Sequence, residues 1–244
     1  FVALTYLEVG EIDQALDILN TTLPLAQKVG HPASILHQVQ LALLYDRMGA
    51  SERGLALLAD LLASPVVFAP FRPYALAAVA ELRLHAGDFV GAEAALAEAF
   101  QLGVTGTLLL IEFTAQTVAV KMALGRGDNA QALRLADDMI ARLQTSGAAY
   151  FLPTVLQTKA QALLASGDAA SAQALLRQAA ASARSTGAYL SLQPILAELA
   201  RLGAGDAQEI RQLRQELSAT IAHLTRHITD PELRACFIAH SAVQ

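Results

Sequence analysis

One cysteine, Cys236, is all the thiol chemistry this chain of 244 residues holds. An internal disulfide framework is therefore excluded, and a reducing, cytoplasmic setting is expected. Charge is scarce as well: 16% of the residues are Asp, Glu, Lys or Arg, and the 17 Lys and Arg stand singly, never side by side. A nucleic-acid surface needs a basic stripe, which scattered cations in a chain of net charge -5 do not supply. No glycine-rich loop ending in Lys-Ser or Lys-Thr occurs, so any nucleotide hydrolysis belongs to another part of a parent protein. No segment of useful length alternates with period two, which argues against a sheet. Nor is there an unbroken membrane-length apolar run. Gly54 to Phe71 holds one charge, Asp60, but Pro65 and Pro70 interrupt it short of the roughly 20 residues a span requires. The chain opens on Phe1 with no basic leader, and its first residues read as a cut inside a larger protein.

What is present is apolar and periodic. Hydrophobic residues make up 54% of the chain, enough to bury an extended core. Gly10, Gly49, Gly87, Gly127 and Gly167 recur at spacings of 39, 38, 40 and 40 residues. Seven residues before them stand Ala3, Ala42, Ala80, Val120 and Ala160; five after stand Ala15, Gly54, Ala92, Ala132 and Ala172. Two small positions facing each other across a glycine turn mean two helices packed so closely that only a small side chain fits at their crossing. A period of this length is the mark of a helical repeat array.

Local signals agree. Asp88 and Asp128 follow their glycines and can accept the unpaired amides that open the next helix; Ser51 is expected to cap likewise, with Glu52 in its first turn. Pro24 should kink or shorten the second helix, Gly30 should end it, and Pro32 should sit at the start of the third. Repeat four is expected to begin near Thr107. In repeat five, Leu156, Ala160, Leu163 and Leu164 on one helix and Ala172, Leu175, Leu176, Ala179 and Ala183 on the other form amphipathic stripes. The repeats are assigned to residues 1–202, about five and a half pairs counting a degenerate one. Residues 203–244 read as that degenerate repeat with capping helices, the first carrying Ile210, Leu213, Leu217, Ile221, Leu224 and Ile228 on one face. A last short helix starts at Pro231, capped by Thr229 or Asp230, and turns Leu233, Phe237 and Ile238 inward. At the other end Phe1, Val2, Leu4, Leu7 and Ile18 find no polar covering helix, which predicts an apolar stripe and self-association through it.

The twelve-residue spacing of small positions resembles the tetratricopeptide repeat. Tyr6 and Tyr45 stand where that family often has an aromatic, and Leu19, Leu58, Leu96 and Leu176 match its large apolar position, from which Ala136 departs. The longer period is similar to the MalT-like repeats of bacterial multidomain ATPase, cyclase and kinase regulators, as is the ending His227 to Phe237. The resemblance implies an all-α, right-handed superhelix of antiparallel helix pairs. It also implies a non-catalytic protein-protein interaction module in a bacterial signal-transduction or transcription regulator, with a protein, a peptide or the parent's other domains as partner. Its alternative is a small-ligand sensor controlling an attached ATPase or activator.

The analogy directs one face of each first helix into a concave groove. Asp46, Arg47, Tyr74, Glu81, His85, Thr114, Thr117, Lys121, Thr154, Gln157 and Gln161 are the candidate binding residues, with Tyr74 as aromatic anchor. Other motifs carry less. Gly125-x-Gly127-x-x-Ala130 spells a dinucleotide fingerprint but follows a helix where a strand is required, and Arg126-Gly127-Asp128 sits on the same turn. His223 and His227 are four apart on one helix, yet nothing fixes a third ligand from Cys236, His240 or an acid. No nucleophile, base and orienting group can be assigned together, so no catalytic residue, metal or cofactor is expected.

Overall fold

Five copies of one local structure set the architecture. At Gly10, Gly49, Gly87, Gly127 and Gly167 the backbone takes φ between +74° and +87°, a left-handed conformation that costs other residues roughly 1–2 kcal/mol. The amide after each glycine reaches back five residues: Glu11 to the Tyr6 carbonyl, Ala50 to Tyr45, Asp88 to Arg83, Asp128 to Ala123 and Asp168 to Leu163, at 2.7 to 2.9 Å. These bonds satisfy carbonyls that a helix end would otherwise leave unpaired. The carboxylates of Asp88, Asp128 and Asp168 then accept from the amides of Gly91, Gln131 and Ser171 and open the next helices. Ser51 does not cap. It lies within its helix, and its hydroxyl donates to the Asp46 carboxylate at 2.6 Å, a charged acceptor that outcompetes a backbone role.

The computed structural model describes residues 2–29, 31–63, 69–104, 108–203 and 205–243, with the backbone alone at 33, 69 and 243. Gly30, Pro65, Thr107 and Phe1 lie outside the described residues. Among those described, regular structure is entirely helical. The helices are α1 Val2–Glu8, α2 Ile12–Lys28, α3 Ala33–Arg47, α4 Ser51–Ala63, α5 Arg72–His85, α6 Phe89–Leu102 and α7 Leu109–Gly125. They continue with α8 Asn129–Ser146, α9 Leu152–Ala165, α10 Ala169–Thr186, α11 Tyr189–Arg201, α12 Ala207–Arg226 and α13 Pro231–Val243. Short 3-10 turns, Ala69–Phe71 and Ala149–Phe151, lead into α5 and α9. No described helix is long and apolar enough to cross a membrane.

The helices pack as antiparallel pairs, α1 with α2 through to α11 with α12, and α3, α5, α7, α9 and α11 touch in sequence along one layer. Among the described residues six such pairs are seen; Gly203, φ +62°, ends α11 ahead of α12, which packs against it. Pro24 does not shorten α2, which runs on to Lys28. The carbonyl it leaves unpaired belongs to Asn20, and both residues are exposed, so water can take the bond.

The small crossing positions are buried in all five repeats. At Gly54 the approach is closest, since a Cβ there would stand 2.6 Å from Leu82 Cδ2 and 2.7 Å from the Ala42 carbonyl oxygen. Replacing Gly54 by Ala gains about 1 kcal/mol of helix propensity but overpacks a crossing at a cost of roughly 1–3 kcal/mol. The clash is partly with backbone, which cannot step aside, so Gly54→Ala is expected to lower stability by about 1 kcal/mol net in urea unfolding. A stabilised variant would show that α3 and α4 do not cross at this register.

The row of pairs closes on itself. Leu190, Leu224, Ile228, Leu233 and Phe237 share one buried cluster with Ala3, Leu7, Ile12, Leu19, Leu41 and Met48. Polar bonds stitch the same seam. The Asp13 carboxylate accepts from the amide and hydroxyl of Thr229, the Asp13 amide donates to the His227 carbonyl, His227 pairs with Glu11 at 3.0 Å, and Arg53 pairs with Asp230. Of the stripe expected to lie bare at the first helix, Leu7 is buried against helices from the far end of the chain, Leu4 and Ile18 are half-buried and Val2 is 63% exposed. Asp230 caps α13 through the amides of Glu232 and Leu233. Leu233 and Phe237 point inward, but Ile238 is 49% exposed, one residue past the buried face.

Candidate functional site

The inner side of α3, α5, α7, α9 and α11 surrounds a cavity of about 590 Å³, with a smaller one of about 140 Å³ adjoining it. Asp46, Arg47, Glu81, Thr154 and Leu190 line both, so the two meet there. The larger chamber is polar and charged; the smaller neck is mostly apolar, walled by Leu4, Leu7, Leu43, Leu44, Leu110, Phe113 and Val155.

All eleven residues assigned to a concave face line these spaces. Asp46, Arg47, Glu81, His85, Lys121, Thr154, Gln157 and Gln161 face the chamber, and Tyr74, Thr114 and Thr117 the neck. Their convergence follows from register. Six residues before the turn glycines stand Glu81, Lys121 and Gln161; ten before stand Thr117 and Gln157; thirteen before stand Tyr74, Thr114 and Thr154. Offsets of three, four and seven lie on one helix face, and stacked repeats align each set into a rung. One role changes: Tyr74 is fully buried, so it is a wall of the neck and not an exposed anchor.

Helix α11 and the tail add Ser191, Gln193, Glu198, Arg201 and His240 to the chamber, and Tyr150 and Glu8 join the neck. Gln193 was legible by extending the register, since it stands ten before Gly203 as Gln157 does before Gly167; Ser191, Glu198 and Arg201 fall off the register positions. Burial of Ser191, Gln193 and Glu198 in an otherwise apolar helix is the same signal in another form. His240 had none, because its place depends on where α13 docks.

The polar groups form a chain across three helices. Buried Asp46 accepts from Ser51 and meets His85 Nδ1 at 2.6 Å; His85 Nε2 lies 3.1 Å from Lys121 Nζ, which pairs with Glu81 at 3.3 Å. These bonds assign the imidazole tautomer, Nδ1–H donating to the carboxylate and Nε2 accepting from the ammonium. Burial raises the Asp46 carboxyl, but the bonds from His85 and Ser51 and the nearby positive charge outweigh it, leaving its pKa below the ordinary value. Glu198 goes the other way: burial dominates and raises it, and the amides of Gln157 and Gln161 at 3.5 and 3.4 Å offset only part. Burial also lowers the His240 imidazole. Ser51 donates to Asp46 and Ser191 to Glu8, so neither hydroxyl faces a histidine base. The arrangement holds hydrogen-bonding partners in fixed directions, which suits binding.

Glu198 gives a pH test with a definite sign. A carboxyl raised in the folded state destabilises the fold once both states are ionised, and this cost disappears below its ordinary value of 4.5. Glu198→Gln should therefore melt higher than the parent chain at pH 7, with the gap closing as pH falls through the raised folded-state value toward 4.5 and absent below it. A gap that is constant with pH would exclude a buried charge as its cause.

The remaining motifs are structural. His223 Nε2 donates to the Val9 carbonyl at 3.1 Å and its ring packs on Tyr189, so with His227 on Glu11 the pair fastens the last helices to the first. No group of three His, Cys, Asp or Glu side chains among the described residues could hold a metal ion. Gly125 and Gly127 end a helix, and Arg126 pairs with Glu93 at 2.6 Å. Compared with known proteins, the chain matches no family model, no curated protein and no solved structure.

Proposed function

We propose that the chain is a small-ligand-binding helical-repeat module, a sensor and not a docking groove for an extended protein segment. One observation carries this reading: α3 approaches α11 across the inner face, Arg47 donating to the Leu190 carbonyl at 3.0 Å, and the concave row lines a chamber of about 590 Å³. A chamber of this size, with convergent amides, hydroxyls and charges, is of the kind that takes a small molecule. An extended peptide would need an open groove running from end to end, and the contact of α1 with α11 interrupts it. The likeness of the period to MalT-like repeats supports placing such a module in a larger bacterial regulator, where a filled chamber would favour one closure of the ring over another.

The test is a thermal-shift screen of the whole chain against polar metabolites. A true ligand at about 100 times its Kd adds about 2.7 kcal/mol, which for this size raises the midpoint by roughly 5–10 °C. Thr154→Trp, which fills the space where chamber and neck meet, should abolish the shift while leaving the unliganded fold intact. Shifts that survive this substitution, or a protein partner whose binding ignores it, would refute the chamber as the site.

A further inference from the structure

We infer that the ligand of this site is an aromatic hydroxy acid: a carboxylate held by Arg47 at the mouth of the neck, with a benzene-sized body inside and an oxygen against Tyr74. The inference rests on the small-ligand reading and adds the chemical class.

Arg47 is the first support. Its guanidinium stands where chamber and neck meet and donates through Nη2 to the Leu190 carbonyl at 3.0 Å, and no carboxylate among the described residues lies within ion-pair distance of it. The acids around it are engaged elsewhere: Asp46 by His85 and Ser51, Glu81 by Lys121, Glu8 by Ser191. A partly buried guanidinium with an open fork is matched by a bidentate oxyanion.

Tyr74 is the second and independent support. Its side chain is fully buried against the neck, and its hydroxyl has no hydrogen-bond partner among the described residues. Leaving such a group unpaired is costly in a fold that satisfies nearly all its other buried polar groups. Burial keeps the phenol protonated, so it offers a donor to a ligand oxygen. The neck's volume sets the size of the body. At about 140 Å³ with leucine, valine and phenylalanine walls, it is close to the roughly 150 Å³ apolar cavity that accepts benzene in another protein.

Calorimetric titration of the full chain with 4-hydroxybenzoate, benzoate and 4-hydroxybenzamide tests this. The acid is expected to bind at least about tenfold more tightly than the amide, which keeps shape and loses charge. Arg47→Gln, which retains a donor for the Leu190 carbonyl, should bring acid and amide to within about twofold, and Arg47→Lys should leave an intermediate preference. Tyr74→Phe should weaken 4-hydroxybenzoate about tenfold and bring it level with benzoate. Melting curves of the free variants that match the parent chain establish that they fold. Equal binding of acid and amide, or an unchanged ratio in the Arg47 variants, overturns the inference. Binding of neutral sugars or amino acids with none of the aromatic acids overturns it too but keeps the small-ligand reading; binding of no small molecule at all overturns both.

Discussion

Phe237→Ala is expected to destabilise the chain by about 3–5 kcal/mol, the usual loss when a buried phenylalanine leaves a cavity, and to loosen helices at the opposite end of the sequence. Phe237 is 1% exposed and packs in the cluster that joins α12 and α13 to α1, α2 and α3. Gly49, at the turn out of α3, lies so near α13 that a Cβ there would meet Cys236 and His240 at 2.8 to 3.0 Å. The seam therefore has little slack to refill the cavity, which favours the upper part of that range. Ile238 is its internal control: the next residue in the chain, 49% exposed, whose change to Ala should stay within about 0.5 kcal/mol. Urea unfolding gives the energies, and hydrogen exchange gives the location. In Phe237→Ala the amides of α1 and α2 should exchange far faster while those of α9 and α10 keep their protection. A small loss with α1 unaffected would mean that the ends do not support one another.

Arg142→Met is expected to destabilise the chain in urea unfolding, because it takes the main partner from a buried carboxylate. Glu112 is the reason. Its side chain is 3% exposed and receives two guanidinium bonds from Arg142, Nε at 3.0 Å and Nη2 at 2.6 Å, with a longer one from Gln116 at 3.3 Å. Arg142 itself is half exposed, so water can replace part of what it gives and the loss is smaller than for a pair buried on both sides. The pair ties α7 to α8, and without it a carboxylate remains buried with one weak donor. The double variant Glu112→Leu, Arg142→Met removes the charge along with its partner and should recover most of the loss. A single variant as stable as the parent chain would mean that solvent reaches Glu112 freely.

Much of this structure is legible in the sequence because it is local and repeated. The glycine turns needed no tertiary information: a left-handed residue followed by an aspartate cap is a short-range event, and it recurs at the expected place in repeats three to five. The small crossing residues were likewise visible, since one face of each of two adjacent helices specifies its own close approach. Ser51 was misread for a reason that is not local. Sequence gave it a capping role, but the acceptor that claims its hydroxyl is a buried carboxylate whose ionised state depends on His85, one repeat away.

The candidate site divides along the same line. The rungs Glu81, Lys121, Gln161 and Thr117, Gln157 follow from period and register, so their sharing of one face is a property of the sequence. Whether that face is a groove or a chamber is not. Closure depends on the small rotation between successive pairs, summed over six of them, and no single repeat encodes that sum. The contacts that complete the ring, such as Asp13 with Thr229 and Ser191 with Glu8, join residues 216 and 183 positions apart. Helices, turns and the inward face were thus determined by the sequence through short-range packing, while the tertiary structure alone decided that the two ends meet, burying Ala3 and Leu7 of α1 and placing a cavity along the concave row.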